Sequence, residues 1–296
     1  YIFTMLSPLA RFIFHKHDDA LLKHEYDDNQ KIEPVYYIPI IPMVLVNGAD
    51  GIGTGWMTKI PNYNPREIIE NLFRMMEGAE PKPMVPFYKN FKGTIESCGD
   101  YRYVISGEIS VIGPDKVEIT ELPIGTWTQS YKETVLEPML HGTDKSPAVI
   151  TDYKEYNTDT EVRFIVTLNR DKLFELERDG LHKAFKLQTT TTTTSMCSFD
   201  ENLCLRKYDS VLQILRQFYK VRVDAYDRRK AYLEGILKAE ASKLSNQARF
   251  ILEKCDGDLV IENKKKKDMI AELVRRNYDS DPVVAWKLSQ NREEVL

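Results

Sequence analysis

The sequence predicts an α+β protein of more than one domain, a loop-rich mixed α/β first half followed by a half dominated by helix. Thirteen of the fourteen prolines lie between Pro8 and Pro147, and only Gly235 and Gly257 follow Gly180. Proline and glycine punctuate turns, so the punctuation stops where helix takes over. Between Phe91 and Lys186 the apolar residues fall in short alternating runs, the period of strands. After Asp209 they keep near-heptad spacing with no proline among them. A chain of 296 residues has room for two domains at about 100–200 residues each.

Taken in order, Tyr1 to Phe14 has apolar residues at mixed spacing, and Pro8 limits any helix there to a short start. Tyr36 to Val46 is an apolar run whose prolines exclude helix, and it reads as buried strand and connector. Asn64 caps a helix with Pro65 in its first turn, running through Ile68, Leu72 and Met75 to Gly78. Tyr103–Ile105, Val117–Ile119 and Val162–Val166 read as strands; Tyr131–Leu140 and Asp171–Glu177 read as helices. Together these make a mixed module of roughly 120 residues, within one domain's usual size. Asp209 and Ser210 then cap a long helix, with Gln213 placed to complete a capping box. From Asp209 to Ser245 it would span about 55 Å. Between Arg206 and Lys243 there are ten Lys and Arg against five Asp and Glu, an excess that a solvated helix face or a DNA contact explains.

Composition excludes several classes. With 42% hydrophobic and 29% charged residues the chain is not of disordered type, and no stretch approaches the roughly 18 apolar residues of a membrane helix. The opening Tyr1-Ile2-Phe3-Thr4 is neither a start methionine nor a signal peptide, and reads as a start in mid-protein. The cysteines, Cys98, Cys197, Cys204 and Cys255, form no CxxC pair, which favours a reducing compartment. His15 and His17 beside Asp18 and Asp19 are drawable as a metal site but read as a polar turn. The net charge of −4 argues weakly against nucleic-acid binding, since phosphate contact depends on where Lys and Arg lie rather than on their total.

Three features bear on chemistry. Tyr1 has a phenol whose ordinary pKa near 10 makes it a nucleophile only with help from a base, cation or metal; otherwise it is a surface aromatic. Asn47-Gly48-Ala49-Asp50-Gly51-Ile52-Gly53-Thr54-Gly55-Trp56 places four glycines in eight positions. Its order is not that of a nucleotide loop. Ile52, between two glycines, is either a wedge of the kind that enters a base step or a residue packed under a glycine turn. Lys186-Leu187-Gln188-Thr189, followed by five more threonines and Ser195, is either a phosphate-contacting segment or a plain edge strand.

Several long segments resemble the breakage-reunion region of eukaryotic type II DNA topoisomerases. They are YIFTMLSPLAR, KIEPVYYIPIIPMVLVNGADGIGTGW, YKNFKGTIE, ELPIGTWTQSYKETVLEPML, ITDYKEYNTDT, LSNQARFILEKCDGDLVIENK and NYDSDPVVAW. They occur in the family's order and cover nearly the whole chain. Bacterial gyrase-type enzymes share the layout but not these words.

The resemblance implies roles for particular residues. Tyr1 is the catalytic tyrosine that joins the 5′ phosphate of cleaved DNA, and Ile52 is the wedge that bends it. Lys186, Gln188 and Thr189 contact DNA, while the later threonines depart from a more varied family sequence. It implies that residues 1–61 are the C-terminal part of a winged-helix domain and 62–187 a mixed α/β tower domain. Residues 188–208 are a connector, 209–245 a long coiled-coil helix, and 246–296 a partial helical C-gate. The family acts on double-stranded DNA as a nuclear homodimer and uses Mg²⁺ and ATP, both held by domains outside these residues, with no metal ligand here. The chain alone is then expected not to cleave DNA. The alternative is a non-catalytic DNA-binding or dimerising coiled-coil scaffold, which has no reason to keep Tyr1 and Ile52 within the matching words.

Overall fold

A computed structural model describes residues 2–144 and 147–290, so Tyr1 lies outside the described residues. The chain divides into two compact units, one of residues 41–219 and one formed by 1–40 with 220–296.

The unit of residues 41–219 holds two apolar cores. The larger packs a four-stranded antiparallel sheet against the helical segments that follow its strands. The strands lie in the order Glu108–Gly113, Lys116–Glu121, Phe164–Leu168, Ile150–Glu155. Val117, Ile119, Phe164 and Val166 face Tyr131, Leu136 and Leu173 there, all essentially buried. The alternation read from the sequence is what puts these residues on one face. The helix expected at Tyr131–Leu140 is present as a continuous run from Thr128 to His141, and its middle, Lys132–Leu136, is wound as a π-helix. Asp171–Glu177 lies within the helix Arg170–Asp179.

The smaller core gathers Leu45, Ile60, Tyr63, Ile68, Met196, Ile214 and Leu215. Its helix Pro65–Met76 starts as expected, with Asn64 Oδ1 accepting the Arg66 N–H at 3.0 Å. The apolar run before it corrects the expectation. Tyr36–Val46 contains no strand, and Met43–Asn47 forms a short helix. Pro39 and Pro42 lack the N–H that a ladder needs, while a proline just before a first turn leaves that turn's own bonds intact.

The other unit joins the N-terminal residues to the long helix Val211–Cys255 from Lys220 onward. At the start of that helix the Ser210 hydroxyl accepts the Gln213 N–H at 3.3 Å, and the Gln213 side chain accepts the Asp209 N–H at 2.9 Å. The helix continues past the expected Ser245, because no proline or left-handed glycine interrupts it before Gly257, φ +81°. Helix Pro282–Gln290 docks on it at a notch. A Cβ on Gly235 would lie 2.5 Å from the Trp286 indole nitrogen, and Trp286 meets Tyr232 edge-on at 4.9 Å. Further along the long helix the Arg249 guanidinium stacks 3.8 Å from the ring centroid of Tyr278, in the segment that precedes Pro282–Gln290. No helix among the described residues is long and apolar enough to cross a membrane.

Candidate nucleic-acid interface

The glycine-rich segment folds as an antiparallel hairpin, strand Ala49–Gly53 against strand Trp56–Ile60, with Ile52 opposite Met57. Ile52 is 93% exposed, and a Cβ on Gly51 would meet nothing within 4 Å. The side chain therefore does not pack under a glycine turn. It stands free between two residues that have no side chains to crowd an approaching partner.

The base of the hairpin is as fixed as its tip is bare. Gly48 has φ +67°, and a Cβ there would lie 2.7 Å from both Asn62 Oδ1 and the Ile60 carbonyl. The Asn62 amide donates to the carbonyls of Val46 and Asn47 at 3.2 and 2.8 Å. Thr58 Oγ1 donates to the Cys197 carbonyl at 2.6 Å and accepts the Cys197 N–H at 3.2 Å. The Lys59 N–H donates to the Ser195 carbonyl at 2.8 Å. These last bonds tie the hairpin to the residues directly after the threonine run.

That run forms strand Gln188–Thr192 at the edge of a three-stranded sheet, paired with Arg102–Ser106. Lys186 is exposed at φ +51°, between the fully buried Phe185 and Leu187. Two buried neighbours turn its ammonium outward. Gln188 Nε2 donates to Ser106 Oγ at 3.1 Å, so part of its donor capacity is committed within the fold. Thr189 is half-buried. At the far end the Thr193 N–H donates to the Tyr101 carbonyl at 2.9 Å.

A groove separates the hairpin base from the strand, lined by Asp50, Lys59, Tyr88, Gly125, Thr189 and Thr191. Burial raises the Tyr88 phenol above its ordinary pKa, leaving a neutral hydroxyl on the groove wall. The groove presents hydroxyls, the Asp50 carboxylate and Lys59. Ile52 and Thr189 thus belong to one mechanically joined block. Sequence reasoning gave no role to Trp127, which is 79% exposed and lies two residues along the chain from the groove-lining Gly125. A signal was there, an aromatic in the run Ile124-Gly125-Thr126-Trp127-Thr128 at a helix start.

The histidine and aspartate turn is not a metal centre. His15 Nδ1 accepts the His17 N–H at 3.2 Å, and Asp18 is bound to Arg222 at 3.0 Å. Among the described residues no group of three or more His, Cys, Asp or Glu could hold a metal ion. These residues do not fit Mg²⁺.

DNA topoisomerase 2 of Bombyx mori is 66% identical over the whole chain, and DNA topoisomerase 2-alpha of Homo sapiens is 60% identical over 99% of it. The chain spans 19% of the length of each. A crystal structure of the Plasmodium falciparum topoisomerase II DNA-binding, cleavage and re-ligation domain superimposes with a TM-score of 0.85 at 46% identity. That match covers 94% of this chain and 38% of the other. The family of A-type subunits of DNA gyrase/topoisomerase IV matches residues 1–291. The chain belongs to this DNA gyrase/topoisomerase IV family, with eukaryotic topoisomerase 2 proteins among its relatives.

Proposed function

We propose that this chain is part of a type II DNA topoisomerase, which cuts both strands of a duplex, passes a second duplex through and reseals the break. Family membership favours this reading over a non-catalytic scaffold. The observation within the structure that carries it is Ile52, bare at its tip and held at its base by Gly48, Asn62 and Thr58. An apolar wedge must project to enter a base step, and its support must not yield as it does so. Unstacking costs a few kcal/mol per step, and bending 20–30 base pairs costs about 1–6 kcal/mol. Bonds at the hairpin base let that load be borne by the sheet behind it.

In this reading Tyr1 is the nucleophile, attacking a backbone phosphorus and leaving a 3′ hydroxyl while its phenolic oxygen holds the 5′ phosphate. Lys186 supplies charge to phosphate, Thr189 a hydroxyl, and Gln188 chiefly holds the strand's edge through Ser106. Trp127 adds an aromatic face close to the groove wall. Residues 1–61 complete a winged-helix domain, 62–187 form the tower, 188–208 connect, 209–245 are coiled coil and 246–296 enter the C-gate. Mg²⁺ and ATP serve the enzyme from other domains, and the protein works on double-stranded DNA as a nuclear homodimer.

The test uses the full-length protein. Tyr1→Phe removes the attacking oxygen and is expected to abolish covalent attachment to DNA while sparing non-covalent binding; attachment that survives this change refutes the assignment. Ile52→Ala is expected to reduce bending, read by fluorescence between duplex ends, more than it reduces duplex affinity. Lys186→Ala is expected to lower the salt dependence of binding by about one counterion.

A further inference from the structure

We propose that Asp18, with Arg222 and Arg229, is a buried clamp that couples the long helix to the residues that follow Tyr1, so that Asp18 acts as a positioning residue for duplex passage. This rests on the reading of the chain as part of a strand-passing enzyme.

Asp18 sits in the 3₁₀ turn Lys16–Leu21, and both it and Arg222 are about 95% buried. Arg222 Nη2 donates to Asp18 Oδ2 at 3.0 Å, and its Nη1 donates to the Ile38 carbonyl at 3.4 Å. Its guanidinium lies 3.9 Å from the Tyr226 ring centroid, one turn further along the helix. Arg229, two turns along on the same face, approaches Asp18 Oδ1 at 3.8 Å and His17 Nδ1 at 3.2 Å. Arg11 bonds Asp19 at 2.7 Å beside it. One carboxylate therefore reads two positions two turns apart on one helix face, and it senses both the rotation and the axial register of that helix.

Stability alone explains this poorly. Asp18 Oδ1 and Arg222 Nε are buried without a hydrogen-bond partner among the described residues, and a well-packed apolar pair would avoid desolvating two charges. Apolar contact is non-directional, whereas a forked guanidinium on a carboxylate holds one geometry. A buried ion pair that specifies register at the expense of stability is what a joint transmitting helix movement requires.

The experiment replaces the pair in the full-length enzyme with Asp18→Leu together with Arg222→Met, and measures covalent DNA attachment, duplex affinity and duplexes passed per ATP hydrolysed. Passage per ATP is expected to fall about five- to tenfold, with attachment and affinity within about twofold. An unchanged passage ratio, or a parallel fall of all three, overturns the proposal. Arg229→Met, at a position about one-fifth exposed, guards against a misfolded double variant. Passage must fall there while attachment holds, or the clamp is wrong. Tyr1→Phe that still attaches to DNA overturns the underlying reading instead, a separate outcome.

Discussion

Different physics holds each of the two units together. In residues 41–219, rows of fully buried side chains such as Val117, Ile119, Phe164 and Val166 pack into a continuous apolar core. In residues 1–40 with 220–296, the described buried hydrophobics are scattered, among them Ile38, Ala225, Ala239 and Leu259. Charge and aromatic contacts take over there: Asp18 with Arg222, Arg249 on Tyr278, Arg276 with Glu253 and Glu272, and Lys243 with Asp281. Apolar cores resist deformation because any displacement opens a void. Contacts made by long charged side chains tolerate sliding and answer to pH and salt.

The largest expected effect breaks the apolar side of that contrast. Phe164→Ala empties the centre of the larger core and is expected to cost about 3–5 kcal/mol in chemical denaturation; a loss under about 1 kcal/mol would show that this core is not what stabilises the unit. Next comes the Gly235 notch. Gly235→Ala drives a methyl into Trp286, and overpacking of this kind costs about 1–3 kcal/mol. Faster amide exchange in Pro282–Gln290, with residues 41–219 unchanged, is the expected readout.

A smaller effect sharpens the charged side. Hydrogen bonds from Arg276 and then Arg275 hold the Glu272 carboxyl at a pKa of about 2, against an ordinary 4.5. A folded-state pKa below the unfolded one means a contribution fully present above pH 4.5 and lost as pH falls toward about 2. Acid titration of Lys266–Arg275 helicity is expected to show a loss in that window, and Glu272→Gln to remove its pH dependence. Smallest of all, Ile52→Ala is expected to change stability by no more than about 0.5 kcal/mol, since the side chain is 93% exposed. A larger change would mean that Ile52 has a packing role.

Much of this was legible in the sequence, for reasons that differ by element. Asn64-Pro65 and Ser210 with Gln213 are local signals whose donors and acceptors lie within four residues, and the structure shows their bonds. Strands around Ile119 and Ile165 followed from alternation, because one face of each packs on the larger core. Tyr36–Val46 was misread because apolar runs broken by proline carry no period, so composition alone stood in for geometry. The exposure of Ile52 could not be settled from glycine content, since a tip and a tucked turn need the same residues. The link from Thr58 to Cys197 joins positions 139 apart and leaves no trace in spacing. The groove that brings Gly125 and Thr189 together is likewise invisible in spacing.

The threonine strand carries one more consequence. Thr189 to Thr194 are identical, so a shift of two residues would leave every inward and outward methyl where it was. Nothing in the middle of the strand distinguishes one alignment from the next. Anchors at its ends, the buried Leu187 bonded to the Gly107 amide, Gln188 on Ser106 and the Thr193 amide on Tyr101, tell the chain where to stop. Removing two threonines would therefore preserve the sheet's texture while dragging Ser195 away from Lys59, and the glycine hairpin would lose its brace without a single hairpin residue being touched.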